Sequence, residues 1–104
     1  MRRPYVITLE APAARQVDEA RAWLLANVGA WRAELLDQEL GAALRLLETC
    51  PEMYALAPGS KNVRRLRLKR SGYHVYYRVV HRRRHVHVVW FWQQSRPLPR
   101  PDEV

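Results

Sequence analysis

The sequence predicts an α+β fold in which a helical hairpin packs on one face of a small, mainly antiparallel sheet, in the order β-α-α-β-β-β. Apolar residues recur at helical spacing over residues 11–48, and they alternate with polar residues from residue 63 onward. Glycine or proline stands near each change of pattern. The length of 104 residues suits one domain with one core. We expect residues 1–96 to form that domain and residues 97–104 to form an irregular tail.

The first half of the chain predicts one strand and two helices. Residues 5–9, YVITL, are rich in strand-forming residues. A proline follows where helices commonly begin, and Gly29 is a natural end for a helix that starts near residue 11. A second helix over residues 30–48 ends before Pro51. Its apolar stripe consists of Leu36, Leu40, Ala43, Leu44 and Leu47. The short turn between the helices predicts an antiparallel hairpin.

The second half predicts three strands, because apolar and polar residues alternate there with a period of two. The predicted strands cover residues 63–70, 73–80 and 85–92. Ser71-Gly72 is a two-residue link typical of a β-hairpin. The last segment, HVHVVWFW, is apolar on both faces at its end. We therefore expect it to lie centrally in the sheet or beneath a partner.

Charge is distributed unevenly along the chain. Residues 1–52 hold six Lys/Arg and eight Asp/Glu, whereas residues 53–100 hold twelve Lys/Arg and no acidic residue. The net charge of +8 thus comes from the second half. Arginine dominates there, and its planar guanidinium suits phosphate and carboxylate groups. We expect a polyanion or an acidic protein surface as partner, with a merely solvated basic face as the alternative.

Cysteine usage and hydropathy bear on where the protein works. Cys50 has no second cysteine to pair with, which fits a reducing cytoplasm, and we expect it to be a small apolar residue at a helix end. No apolar run approaches the roughly 20 residues that span a bilayer. The N-terminus lacks the apolar stretch of a signal peptide. The sequence therefore predicts a cytoplasmic protein that does not engage membranes.

The clustered histidines and the tryptophans of the hairpin are both predicted to bind no ligand. His85 and His87 share one side of the last strand, and His81 precedes them. Zinc sites need three or four ligands, commonly with carboxylate or thiolate support, and no acid lies near these histidines in the sequence. We therefore predict no metal and no other cofactor. Trp23 and Trp31 flank the hairpin turn and are predicted to be core aromatics.

A particular order of features runs through the chain. A basic segment at residues 63–68, VRRLRL, precedes a turn and an aromatic-rich segment at residues 71–79, SGYHVYYRV. Pro51 closes the second helix, and a polar-basic segment at residues 93–96, QQSR, follows the last strand. In this order, over residues 4–96, these features resemble the RelE/ParE superfamily of toxins from type II toxin–antitoxin pairs.

The resemblance implies one fold with two activities. RelE-like members cleave mRNA in the ribosomal A site without a metal. That chemistry requires deprotonation of a 2′-OH, stabilisation of the phosphorane and protonation of the leaving oxygen. The residues that match the family's catalytic positions are Arg65, Arg67, His74 and Arg96. His74 replaces an arginine of the family and can titrate near neutrality. The alternative for His74 is a polar residue at a solvent-facing strand position.

Departures from the nuclease pattern favour the other activity. ParE-like members inhibit DNA gyrase and have lost the ribonuclease residues. Here arginine stands where the family places lysine, and its high pKa makes it a poor general acid or base. No tyrosine follows Tyr77, and Trp90 and Trp92 can stack a base but cannot transfer a proton. The resemblance thus implies a non-catalytic toxin with gyrase as target. The alternatives are a metal-independent, ribosome-dependent mRNA endonuclease and a basic nucleic-acid-binding module.

The same resemblance implies a cognate antitoxin as partner. Leu66 and Leu68 should face the core from one side of their strand, so the neighbouring basic residues should project from the other side. The next strand should extend that surface if Ser71-Gly72 forms a hairpin turn. The residues expected to bind target or antitoxin are Arg65, Arg67, Lys69, Tyr76, Arg78, Trp92 and Arg96.

Overall fold

The predicted order of elements is confirmed in a computed structural model of the protein, which describes residues 3–95. Arg96 and the predicted tail lie outside these residues. The elements are β1 (Val6–Leu9), α1 (Ala11–Asn27), α2 (Ala30–Thr49), β2 (Arg64–Leu68), β3 (Tyr73–Val80) and β4 (His85–Gln93). Neither helix of the described chain combines the length and the hydropathy of a membrane span.

The four strands form one mixed sheet in the order β1-β4-β3-β2. β2 pairs with β3 and β3 with β4 in antiparallel fashion, whereas β1 runs parallel to β4. The central position expected for the last strand is confirmed. β1 flanks β4 along residues 85–88, whereas the apolar end of β4, residues 90–92, pairs with β3. A β-bulge shifts the register between Tyr76 and Tyr77, which pair with Trp90 and Val88 and leave Val89 as the extra residue.

Both helices pack on one face of the sheet and enclose the core there. The helices contribute Leu24, Leu36, Leu40 and Leu47, and the strands contribute Leu66, Leu68, Val75, Tyr77, Val86, Val88 and Phe91. Gly29 connects the helices with φ 145°, a conformation that favours glycine. A Cβ at Gly29 would also lie 3.1 Å from the Trp31 ring. The hairpin turn therefore depends on this glycine.

The prediction that Trp23 and Trp31 are core aromatics was wrong, because their side chains are 56% and 62% exposed. The sheet-facing side of α1 includes Leu24, and a shift of one residue turns a side chain by about 100° around a helix. Trp31 is likewise out of phase with the buried positions Ala33 and Leu36 of α2. The apolar character of the two tryptophans alone does not show on which side of its helix each one lies.

Polar side chains of the two helices hold the bulge and the β2–β3 turn in place. The Gln16 Oε1 accepts a hydrogen bond of 2.8 Å from the Phe91 N–H, close to the bulge. The Glu39 carboxylate accepts the backbone N–H groups of Arg70 and Ser71, at 2.9 and 2.8 Å, and so fixes the β2–β3 turn. Burial alone would raise the pKa of Glu39, but the hydrogen bonds from Ser71 and Arg70 outweigh it and lower the pKa.

Tyr77 provides a direct test of this anchoring. Its side chain is fully buried, and its hydroxyl donates a 2.8 Å hydrogen bond to the Pro51 carbonyl in the loop after α2. Tyr77→Phe should lower the free energy of unfolding by about 1–3 kcal/mol, since a buried acceptor loses its donor. Burial raises the Tyr77 pKa to about 12. The free energy of unfolding of the wild type should therefore decrease as the pH rises from about 10, the usual pKa of tyrosine, to about 12. Denaturant titrations at neutral and alkaline pH should show a smaller loss of stability at high pH in the variant than in the wild type. An equal loss in both proteins would contradict this role of Tyr77.

Candidate functional site

The sheet face opposite the helices, the open face, carries an ordered group of basic and aromatic side chains. Strand register places Arg67, His74 and Trp92 side by side in one row across β2, β3 and β4. The next row contains Arg65, Tyr76 and Trp90. Directly opposed residues have Cβ atoms about 5 Å apart, so each row is contiguous. We call these six residues the open-face cluster.

No carboxylate among residues 3–95 offsets the charges of the two arginines of the cluster. Arg67 is exposed and Arg65 is partly exposed. Within residues 3–95 neither guanidinium forms an ion pair, although carboxylates of the first half of the chain pair with other basic residues of the second half. Lys69 is exposed just beyond the end of β2. The β2 side of the open face is therefore positive and able to receive an anion.

His74 lies on the expected open face but is buried there, with 8% of its surface exposed, so the expectation that it would be exposed to solvent was wrong. Its Nδ1 lies 3.4 Å from the Tyr76 hydroxyl. Its Nε2 is also buried, and no group among residues 3–95 hydrogen-bonds to it. Burial lowers the pKa of His74, and the charges of Arg65 and Arg67 lower it further. Both effects favour the neutral form of the imidazole.

The aromatic side of the cluster lies on β4. The Trp90 and Trp92 rings stack with centroids 5.7 Å apart and planes inclined by 23°. Both side chains are partly exposed, whereas Tyr76 between Arg65 and Trp90 is only 7% exposed. The bulge puts Trp90 on the open face while Val88 and Phe91 face the core. The open face thus presents flat rings along one strand and cations along another.

Farther along the open face, polar groups pair with one another. Arg78 contacts the Glu10 carboxylate at 3.3 Å, and the His87 Nδ1 lies 3.7 Å from the same Glu10 oxygen. His85 stacks on His87 with centroids 4.3 Å apart, and its Nε2 lies 2.6 Å from the Thr8 hydroxyl. Arg78 therefore lies on the expected face, but a carboxylate partly offsets its charge.

The structure places carboxylates beside histidines that have no acid near them in the sequence. Glu10 lies beside His87, and Glu52 pairs with His81, whose Nδ1 is 2.7 Å from the Tyr5 hydroxyl. Among residues 3–95, no three His, Cys, Asp or Glu side chains are grouped so that they could hold a metal ion. Cys50 caps the end of α2, as expected, but it is exposed.

The chemistry available at the open-face cluster is binding rather than proton transfer. The structure brings Arg65, Arg67 and His74 together, as the sequence predicted, while Arg96 lies outside the described residues. Guanidinium groups stay protonated and stabilise anions but do not act as general bases. His74 can titrate, yet its Nε2 is buried. The cluster can therefore hold a phosphate or carboxylate and stack a flat ring.

The buried imidazole predicts a pH dependence of stability. Because the folded state lowers the His74 pKa below its usual value of about 6.5, the unfolded chain binds the proton more readily. Stability should be complete above about pH 6.5 and should fall as the pH drops toward the lowered pKa. His74→Gln should flatten this part of the profile in urea titrations between about pH 7.5 and 5. An unchanged slope in the variant would show that other groups cause the decline.

Several solved structures from ParDE and RelE–RelB toxin–antitoxin systems have the same architecture. The chain is 18% identical to a chain of the chromosomal ParDE toxin–antitoxin system from P. aeruginosa, with a TM-score of 0.71 over 86% of this chain and 95% of that one. It is 19% identical to the isolated E. coli RelE toxin, with a TM-score of 0.59 over 89% and 87%. For the archaeal RelE–RelB complex from Pyrococcus horikoshii OT3, the identity is 14% and the TM-score 0.59 over 90% and 99%. At these identities the likeness defines the fold.

The sequence itself defines the family. Residues 7–98 match the model of the ParE toxin of the type II toxin–antitoxin system parDE. No curated protein sequence matches the chain significantly. Because the family model covers most of the chain, the protein belongs to the ParE toxin family. The resemblance to the RelE/ParE superfamily inferred from the sequence is therefore confirmed.

Proposed function

We propose that the protein is a toxin that inhibits growth by binding DNA gyrase and that does not itself cleave RNA. The observation that carries the proposal is the open-face cluster, which has two unpaired guanidinium groups but no accessible side chain able to transfer a proton. A toxin that acts by binding needs the cations, whereas a metal-free nuclease also needs an accessible side chain that can transfer a proton. Membership in the ParE family, rather than a RelE family, supports the same conclusion.

A cognate antitoxin is the second partner that we propose, with both proteins in the cytoplasm. Residues 53–100 contain no acid, so the open face should attract a segment rich in Asp and Glu that also carries aliphatic residues. The similar archaeal RelE was solved in complex with RelB, which agrees with such pairing. The association rate of the toxin with its antitoxin should decrease as salt is added, because exposed charges are screened; a rate independent of salt would contradict this view.

Ribosome-dependent mRNA cleavage is the alternative activity. It is favoured by one observation, the proximity of His74 to Arg65 and Arg67 on the open face. A titratable imidazole beside two guanidinium groups has the composition of an acid–base site, provided that its ring becomes accessible on the ribosome. This alternative predicts that His74→Ala lowers cleavage by orders of magnitude.

Two assays with the purified full chain separate these activities. In the first, supercoiling by gyrase is measured at increasing toxin concentration, and we expect inhibition. In the second, programmed ribosomes and mRNA are incubated with toxin between about pH 6 and 9, the range in which a histidine titrates. We expect intact mRNA throughout. Cuts in the A-site codon that His74→Ala removes, together with unaffected gyrase, would replace our proposal by the nuclease.

A further inference from the structure

A groove runs along α1 at the end of the sheet where β4 stops. It consists of two cavities of about 320 and 210 Å³, which adjoin because Trp23, Tyr73 and Gln93 line both. Trp23 and Trp31, whose side chains are largely exposed, contribute its aromatic walls. Large apolar side chains that are exposed together commonly mark a surface that another group covers. The groove therefore calls for an occupant.

The chain itself contains a segment that matches this groove. Residues 96–101, RPLPRP, have a proline at every second position and favour the extended polyproline II conformation; we call them the proline-rich segment. Such segments dock in aromatic-lined grooves at a low entropic cost, because their conformation is preformed. We propose that the proline-rich segment docks in the groove of its own chain, with Leu98 and the prolines against Trp23. The inference goes beyond the proposed function, since it holds whatever the target of the toxin is.

The attachment point and the length of the segment suit this contact. The Gln94 N–H donates a 2.8 Å hydrogen bond to the Gly72 carbonyl, which holds the end of the described chain beside the groove. The α1 wall of the groove extends from Glu19 to Val28, and at 1.5 Å per residue it is about 14 Å long. In the polyproline II conformation, residues 97–101 span about 15 Å. The segment therefore fills the groove without a further turn.

Charges at the two ends of the groove determine the direction of the segment. Glu19 lines one end, and its side chain is 69% exposed. Arg32 lines the other end. In the sequence, Arg96 precedes the prolines, whereas Asp102 and Glu103 follow them. Opposite charges meet at both ends if Arg96 lies at Glu19 and the two acidic residues lie near Arg32. The segment then crosses Trp23 from the first cavity to the second.

Fluorine NMR of the full-length protein labelled with fluorotryptophan tests the docking. The chain has four tryptophans, and single substitutions assign their resonances. A soluble paramagnetic agent broadens the resonances of exposed rings, and we expect Trp23 to be protected in the wild type. Replacing Pro97, Pro99 and Pro101 together by glycine should lower the docking equilibrium roughly 10- to 100-fold, because the undocked chain gains conformational freedom. Protection of Trp23 should then be lost. Trp90, on the open face, is the internal control and should respond equally in both proteins.

Charge reversal tests the direction of the segment. Glu19→Arg should reduce docking by roughly 2- to 5-fold, the effect of one exposed ion pair. Adding Arg96→Glu to this variant should restore the protection of Trp23, because the pair is then re-formed with opposite signs. Asp18→Arg is the matched control, since Asp18 is the exposed neighbour of Glu19 on α1 but lines neither cavity. It should leave the protection of Trp23 unchanged.

Three results would overturn the inference. The first is equal broadening of the Trp23 resonance in the wild type and in the triple-glycine variant. The second is protection that increases with protein concentration, which would place the segment of a second copy in the groove. The third is protection that arises only when the antitoxin is added, which would assign the groove to that partner. If Glu19→Arg behaves like Asp18→Arg, the pairing of Arg96 with Glu19 is wrong and the proposed direction falls with it.

Discussion

Replacing Arg65 and Arg67 together by glutamate is expected to abolish growth inhibition while the protein remains folded. Both guanidinium groups lie on the open face and form no ion pair within residues 3–95, so their removal breaks no polar contact of the fold. Exposed charges typically contribute only about 0–1 kcal/mol to stability. The substitution also removes two cations that disfavour protonation of His74. Under the proposed function, by contrast, the target would meet two carboxylates in place of the two cations that bind it.

The growth assay needs a control with the same change in net charge. Arg82 and Arg83 are exposed in the turn between β3 and β4, away from the open-face cluster. Arg82→Glu combined with Arg83→Glu should therefore leave toxicity close to the wild-type level. Thermal melts of both double variants should coincide with that of the wild type. If the Arg65 and Arg67 variant melts far lower, these arginines are structural; if both variants lose toxicity equally, net charge rather than the open face matters.

The local patterns of the sequence were sufficient to predict the elements and their order. Tyr73–Val80 alternates so regularly that the predicted and observed strands coincide. The predicted hairpin with β2 is also observed, but β2 ends at Leu68, so residues 69–72 form a four-residue connection and the predicted two-residue link was wrong. The leucine stripe of α2 correctly identified Leu36, Leu40 and Leu47 as buried. Such features depend on spacing along the chain. A period of two or of 3.6 residues is a property of one element and needs no knowledge of its neighbours.

The features that were missed depend on residues far apart in the chain. The position of His74 was predicted on the correct strand face, but its burial depends on neighbours on two other strands, among them Trp92. The pairing of Arg78 with Glu10 joins the third strand to the end of the first. No periodicity in the sequence predicts this contact. The parallel pairing of β1 with β4 brings it about, because Glu10 directly follows β1 and its N–H bonds to the Val88 carbonyl.

The bulge in β4 explains why the aromatic half of the candidate site was only partly foreseen. The segment HVHVVWFW is apolar on both faces, so alternation alone could not assign its rings to the core or to the surface. The extra residue Val89 resets the alternation, which turns Phe91 inward and Trp90 outward. The Gln16 side chain bonds to the Phe91 N–H close to this point. The glutamine on α1 is a polar residue in a buried position, but its partner can be identified only once the sheet is known.

Leu68→Ala is expected to destroy activity by a different route, through loss of the fold. Leu68 is fully buried on the core face of β2, and truncation of a buried leucine costs roughly 2–5 kcal/mol. That is a large share of the 5–15 kcal/mol typical of a small domain. Leu25→Ala is the matched control, because Leu25 is 47% exposed on α1 and should cost far less. Denaturant titrations of both variants beside the growth assay test this. A stable but inactive Leu68→Ala protein would mean that the core face of β2 also contributes to target binding.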